Sequence, residues 1–464
     1  MSRLSPAERA RQAQMSATTG KRTSPVAKKT KTSVRSNQRI QKPKISAQAL
    51  SSQGAQQFQV WFDRIFRAQS VEFYRLLGVT LFLVAFGVIM VLSASSIDSL
   101  VANSNSLWVF FKQFGFAILG LLSLSIVSLM SVQSIKSKAK GFFVVAMVLQ
   151  LAVFFIGKDI NGNRNWIDVF GLFSLQPSEF LKIAVILHVA AYLAKQQNYF
   201  DEARIWWQAV AMIGLAMVLV MIGRDLGTVI IMLIAFLGML ALAGMPTLIL
   251  RNVSLILLAL IPMALMGSAS RMGRITAWLN PNAPDPLDYN WQAEHGMWAI
   301  AAGRIFGAGL GESKMKWSWI PEVENDFIFA VIAEELGLIG AVVVIALFVV
   351  LAFSLLRIMQ RTKDFFSRIV VVSVMLWLVF QALVNIAVVL RLLPVLGVPL
   401  PLISAGGSSL ISALTAIGVV LAIERENHAK GGVVRSTSRN ASVRQVSVRQ
   451  ASARSASARQ GTRR

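Results

Sequence analysis

The sequence contains no cysteine and only three histidines, His188, His295 and His428, scattered through 464 residues. Disulfides and thiolate metal sites are therefore excluded, and a histidine-built metal centre lacks ligands. Acidic residues are also scarce: 22 Asp and Glu stand against 46 Lys and Arg, a formal charge of +24. In a soluble protein that excess would suggest nucleic acid. Here the basic runs carry no interleaved aromatics on which bases could stack, so no nucleic-acid partner is expected. What the chain has in abundance is apolar sequence, with 55% hydrophobic residues and a mean hydropathy of +0.60. Runs of about twenty apolar residues in such a chain mean bilayer spans.

The positive charge sits mainly at the two ends. Residues 1–57 hold twelve Lys/Arg against the single acid Glu8, with abundant Ser, Gln and Ala. Such a composition cannot bury enough surface to fold, so residues 1–72 are expected to be a largely disordered basic region. The first long apolar run starts near Leu76, too late for a signal peptide. At the other end, residues 425–464 form a basic tail with Arg439, Arg444, Arg449, Arg454 and Arg459 in a five-residue register. That period matches neither a helix face nor a strand face, so the tail reads as solvated charge held near anionic lipid. Docking of a partner protein on either tail is the alternative use.

Between the tails, 73–424 is expected to be an all-α membrane domain. Ten apolar segments lie near 73–96, 108–131, 140–156, 178–194, 205–222, 226–244, 248–267, 327–356, 368–392 and 402–424. An even number places both termini on one side. The basic residues Lys136, Lys138, Lys140, Lys195, Arg204, Arg251, Arg357, Arg361, Lys363 and Arg368 share that side, which the positive-inside rule makes the cytoplasm. The longest connection, 268–326 between the seventh and eighth segments, then faces outward. A loop of that length is more often functional than a spacer.

The loop ends in "PEVENDFIFAVIAEELG", Pro321 to Gly337, which carries five carboxylates. On a helix beginning near Asp326, Glu334 would lie about 12 Å deeper and Glu335 on the opposite face, so neither shares a pocket with Asp326. Ionisable groups at that depth need partners inside the protein. Asp326 is different: the following "FIF" buries the next turn and leaves its carboxylate at the edge of the apolar zone. Partial desolvation there raises proton affinity, as a general base requires.

Other polar motifs fall on the same side. "NGNRNW" contains Arg164, and "LQPSEFLK" contains Ser178, Glu179 and Lys182, the first two also readable as capping and dipole residues. "GRDLGT" places Arg224 and Asp225 in a tight turn between two spans, and "PLISAGGSS" puts small residues at the mouth of the last one. "GAGLGESK" lacks the Lys-Ser/Thr ending and the preceding strand of a nucleotide loop, so no nucleotide is expected. Flexibility is the reading for Gly307, Gly309 and Gly311, with Lys314 and Lys316 as point charges for a phosphate.

Taken in order, "LSASS", "NGNRNWI", "QPSEFLK", "DLGT", "GAGLGESKMK", "PEVENDFIFAVIAEELGLIG" and "LPVLGVPLPLISAGGSS" resemble the SEDS family (shape, elongation, division and sporulation) over about Leu76 to Ile423. The resemblance implies a ten-helix membrane glycosyltransferase that polymerises lipid II into peptidoglycan strands at the outer face of the cytoplasmic membrane. It aligns Asp326 with the family's essential aspartate, here the general base. Lys316, Arg274, Arg164 and Lys182 become candidates for holding the diphosphate, with Gln292, Ser408 and Ser409 as further substrate contacts. Glu179, Asp225, Glu335, Gln381 and Asn385 occupy supporting motif positions. Mg²⁺ or another divalent cation is implied, although no metal cage is evident in the sequence. A class B penicillin-binding protein is the implied partner, and the wording is closer to the division branch of high-GC Gram-positive bacteria than to the elongation branch. A septal location and tail contacts with other division proteins follow from that. A lipid II transporter without chemistry and a non-catalytic septal scaffold stand as alternatives.

Overall fold

The protein is described by a computed structural model over residues 69–160, 163–169, 173–266, 269–281, 288–314, 316–317 and 323–430. The expected disordered stretch up to residue 68 and the tail beyond 430 lie outside these residues. All ten apolar segments are helices: α1 Val71–Asn103, α2 Trp108–Leu129, α3 Val132–Ile156, α4 Pro177–Lys195, α5 Ala203–Ile222, α6 Leu226–Leu242 and α7 Thr247–Met266. After two shorter helices, α8 Ala269–Leu279 and α9 Trp291–Gly303, follow α10 Ile328–Arg361, α11 Phe365–Val389 and α12 Gly407–Lys430. Eight of these are long and apolar enough to cross a membrane, and α6 and α7 supply shorter apolar stretches. The chain is a multi-pass membrane protein.

Helix starts follow local chemistry. Ser70, Ser131, Asp225 and Asp364 each cap the next helix with a side-chain oxygen, satisfying amides that have no partner inside the helix. α3 begins eight residues before the apolar run near 140, because its first turns carry Lys136 and Lys138. Those lysines lower the hydropathy of the segment without disfavouring helix. α12 begins at Gly407 rather than near 402, and the preceding 391–406 is irregular. Helices α4, α11 and α12 are buried around most of their circumference, whereas α2 and α3 expose large apolar side chains outward.

A small antiparallel sheet, β1 Lys158–Ile160, β2 Asn163–Val169 and β3 Phe173–Leu175, fills the connection between α3 and α4. Short strands flanked by spans have little hydropathy signature, and none was expected there. β2 is tied to the α5–α6 turn, the Arg164 amide donating to the Gly223 carbonyl at 3.0 Å. Arg271 on α8 donates to the Arg224 carbonyl at 2.6 Å, and Trp278 donates to the Arg391 carbonyl at 2.9 Å. These contacts join the sheet, the α5–α6 turn, α8 and 391–406 on one face, called the cap face. Both described ends lie together on the opposite, terminal face, where the Ser70 hydroxyl donates to Glu424 at 2.6 Å.

α10 is broken at Gly337, whose φ of 68° and ψ of −165° depart from helix. The loop after α9 supplies the missing backbone bonds. The amides of Ala308 and Gly309 donate to the carbonyls of Glu334 and Glu335 at 2.9 and 3.0 Å, and Leu338 donates to the Arg304 carbonyl at 2.9 Å. Irregular backbone at membrane depth is tolerated when it is satisfied inside protein in this way. A Cβ on Gly307 would lie 2.1 Å from the Glu335 carbonyl oxygen, and one on Gly337 2.4 Å from the Gly307 nitrogen. Close backbone approach, rather than the expected flexibility, is what these glycines provide.

Candidate functional site

Asp326 lies in the turn 323–326 just before α10, not on the helix itself. Val323 and Phe327 are fully buried on either side of it, while Glu324, Asn325 and Asp326 are half-buried. Two apolar anchors thus hold three polar residues at the rim. The turn's backbone is clamped twice: the Ala405 amide donates to the Glu324 carbonyl at 2.9 Å, and Asn385 Nδ2 donates to the Asp326 carbonyl at 2.8 Å. The same Nδ2 donates to the Val398 carbonyl at 2.8 Å, so one buried amide joins the turn to 391–406. The Asp326 carboxylate faces that segment at Gly397, where an added Cβ would stand 3.5 Å from Oδ2. Gly397 has φ +68°, in the region that favours glycine.

The segment facing Asp326 is pinned from several helices. Gln381 Nε2 on α11 donates to the Pro399 carbonyl at 2.9 Å, and Gly227 on α6 lets the Leu396 carbonyl approach closely. Gln113 on α2 donates to the Ser404 carbonyl at 3.2 Å and accepts from the Gly406 amide at 3.3 Å. The ring of Phe327 packs on Gly296 of α9. Gln292 lies one turn earlier on that same face of α9 and is half-buried.

Beside this turn is a second polar group. Gln176 donates from its backbone amide to Ser408 Oγ at 3.0 Å and from Nε2 to Asp225 Oδ2 at 2.9 Å. The other Asp225 oxygen accepts from the Thr228 amide at 3.0 Å. Burial pushes the Asp225 carboxyl above the usual carboxylate range, and the Thr228 hydrogen bonds oppose it. Burial likewise lowers the Arg271 guanidinium, with Asp225 acting against that shift. Arg224 takes a left-handed φ of 62°, a costly conformation for a residue with a Cβ.

Below lies a buried ionic network. Lys182 Nζ is 2.9 Å from Glu179 Oε1, donates to Gln381 Oε1 at 3.2 Å and sits 4.7 Å from the centre of the Trp377 ring. Trp377 Nε1 also donates to Gln381 Oε1, at 2.8 Å, and Ser412 donates to Glu179 Oε2 at 3.3 Å. Lys182 is 3% exposed and its ammonium is engaged on these sides. It therefore stands inside the bundle rather than on the rim with the diphosphate candidates. Gln381, through Pro399, links this network to the segment facing Asp326.

The remaining candidates divide. Glu334 accepts from the Ser313 hydroxyl and from the Lys314 amide, whereas Glu335 accepts from Ser93 on α1 at 2.6 Å. Both are buried and use different partners away from Asp326. Lys316 is buried and donates to the Gly311 carbonyl, so its charge is tied to the loop. Arg274 is half-buried on α8, one turn from Arg271. Arg164 is exposed and donates to the Phe154 carbonyl at 3.3 Å. Asn165 is buried, and its side-chain amide group lies against the Gly223 carbonyl. Ser409 is half-buried, its carbonyl accepting from Ser412 at 3.0 Å. Among the described residues no three of His, Asp and Glu converge as a metal site.

Several contributors escaped the sequence reading. Gln113 is a lone amide in an apolar span, and the cost of burying it in a membrane would have marked it. Arg391, at φ +57°, pairs with Glu294 at 3.6 Å beside the Trp278 contact. Only its place at the mouth of α11 hinted at that.

The fold and site define a multi-pass helical membrane protein with a half-buried aspartate whose turn is clamped to a structured cap. The family model for cell cycle proteins of the FtsW, RodA and SpoVE type matches residues 74–429, and the chain belongs to that family. It is 36% identical over 384 residues to the probable peptidoglycan glycosyltransferase FtsW of Mycobacterium tuberculosis, covering 82% of this chain and 72% of that one. With stage V sporulation protein E of Bacillus subtilis it shares 35% over 355 residues, covering 75% and 95%. A solved structure described as the structural coordination of polymerization and crosslinking by a peptidoglycan synthase complex superposes with a TM-score of 0.65 at 25% identity, covering 78% of this chain and 99% of that one. Rod shape determining protein RodA of Thermus thermophilus superposes with a TM-score of 0.58 at 24% identity over the same shares, a likeness of fold.

Proposed function

We propose that the chain is a peptidoglycan glycosyltransferase that polymerises lipid II at the outer face of the cytoplasmic membrane during cell division, with Asp326 as its general base. The observation that carries this reading is the Asp326 turn: a half-buried carboxylate at the rim, opposite Gly397, with its own carbonyl clamped by Asn385. The carboxylate accepts the proton of an acceptor sugar's hydroxyl as that oxygen attacks the anomeric carbon of the growing strand. The bond to undecaprenyl diphosphate breaks, and the diphosphate leaves with its electron pair. A single displacement inverts the anomeric configuration, so one base suffices.

The leaving diphosphate needs cationic compensation. Arg274 and Arg164 are the side chains nearest this role by exposure, and Lys316 would serve after releasing the Gly311 carbonyl. Gln292 and Ser409 are the proposed neutral contacts, while Ser408, 3% exposed and accepting from the Gln176 amide, would support them from inside. A divalent cation such as Mg²⁺ fits as an ion held largely by the diphosphate with one or two carboxylates, Glu324 being the carboxylate beside Asp326. It would offset charge on the leaving group.

A class B penicillin-binding protein is the proposed partner, a reading supported by the likeness to a synthase complex that couples polymerization to crosslinking. The terminal face is then cytoplasmic, and the basic tails are available there to other division proteins at the septum. The test is polymerisation of labelled lipid II by the purified protein with its transpeptidase partner and Mg²⁺. Wild type should give long strands, and Asp326→Asn should give none at an unchanged unfolding temperature. Polymerisation by Asp326→Asn at the wild-type rate would remove Asp326 from the mechanism.

A further inference from the structure

On the terminal face, three arginines surround one buried carboxylate. Glu72, in the first turn of α1, has a side chain only 3% exposed. Arg75 NH1 lies 2.8 Å from its Oε2, while Arg361 NH2 and Arg357 NH1 from the end of α10 lie 3.2 and 3.6 Å from Oε1. The arginine side chains are 36, 54 and 55% exposed for Arg75, Arg357 and Arg361. One carboxylate accepts about four hydrogen bonds, whereas three guanidiniums offer about fifteen donors. Most of those donors point away from Glu72, and two positive charges are left over. The nearby Glu424 is buried and accepts from the Ser70 hydroxyl, and the ion pairs of these arginines run to Glu72.

The surroundings decide what anion this excess suits. Arg357 and Arg361 continue, at four-residue spacing, a stripe that includes Phe353, which is 59% exposed. Arg75 heads a matching stripe on α1 with Gly78 and Phe82. Phe82 is 52% exposed, and a Cβ at Gly78 would meet nothing within 4 Å. A seam between two apolar stripes thus runs from the guanidiniums toward the bilayer interior. Glu72 fixes the guanidiniums in one place, so an incoming phosphate need not order them.

We propose that Arg75, Arg357 and Arg361 bind the phosphate of an anionic glycerophospholipid whose acyl chain lies along the α1–α10 seam. Planar guanidiniums suit bidentate phosphate contacts, and basic pockets between membrane helices take such headgroups. A soluble anion would use the charges but gain nothing from the seam.

The experiment uses the full chain in detergent and counts bound lipids by native mass spectrometry, with phosphatidylglycerol and phosphatidylcholine as probes. One phosphatidylglycerol should bind more tightly than the rest and than any phosphatidylcholine. Arg357→Gln/Arg361→Gln should weaken it about tenfold or more, while Arg449→Gln/Arg454→Gln, the same charge change in the tail, should leave it in place. Glu72→Gln keeps an acceptor beside the guanidiniums and removes the negative charge that competes with the phosphate, so it should hold the lipid as tightly or more tightly. If the arginine pair variant fails to fold around a Glu72 left with Arg75 alone, the triple variant with Glu72→Gln removes that charge and should still lose the lipid. Equal weakening by the tail variant, equal binding of phosphatidylcholine, or displacement by millimolar inorganic phosphate would each overturn the proposal.

Discussion

Replacing Asn385 with alanine tests whether the backbone clamp on Asp326 matters for activity. The side chain is 1% exposed, and its Nδ2 serves two carbonyls, those of Asp326 and Val398, at 2.8 Å each. Alanine leaves both without that donor, at about 1–3 kcal/mol for each one that water cannot reach. Val398 is buried, whereas the Asp326 turn stands at the rim. One full penalty and one partial one give a loss of about 2–4 kcal/mol. The effect on rate comes through geometry: a shift of about 1 Å in a catalytic group costs about 10²-fold. In the lipid II polymerisation assay, kcat should fall by about 10²-fold with KM little changed, since Asn385 touches the base and not the substrate. Asn385→Asp keeps the shape but turns an acceptor toward two carbonyls, and should be at least as slow. If Asn385→Ala polymerises within about threefold of wild type, well short of that 10²-fold loss, the clamp does not position Asp326.

The buried network gives a paired prediction. Lys182→Met strands Glu179 in the bundle and should cost about 3–5 kcal/mol by denaturant unfolding, whereas Glu179→Gln/Lys182→Met should recover a large part of it. Equal losses in the two variants would show that the ion pair is not the source. Gly337→Ala puts a Cβ against the Gly307 nitrogen at a φ of +68°. It should lower the unfolding temperature and speed proteolysis of the 304–314 loop. Leu338→Ala, a side-chain change at a 58% exposed neighbour, should do neither.

The ten spans were legible because each needs an apolar length that soluble segments rarely reach, and the placement of Asp326 on the face opposite the termini followed from counting them. The separation of Glu334 and Glu335 from Asp326 was legible too, although by a partly mistaken route. The expected helix runs from Asp326, whereas the helix starts after it at Ile328 and breaks at Gly337. Lys182 was misplaced because a lysine near a loop resembles a rim cation. Its burial depends on Gln381 and Trp377, about two hundred residues away in a helix that hydropathy treats as uniform. The exchange between "GAGLG" and α10 was hidden because it runs through backbone atoms, which leave no side-chain pattern except the glycines themselves.

That exchange also constrains the order in which the chain can be assembled. A helix normally completes its hydrogen bonds with neighbours a few residues away, so a span can finish as soon as it enters the bilayer. The upper part of α10 cannot, since its partners at 304–309 belong to the connection that precedes it. The two stretches of chain have to meet before either has a full set of partners. The turn bearing Asp326 leads directly into that junction. The turn and the junction are thus adjacent parts of one structure, and a chain whose junction stays open would hold its spans without a finished site.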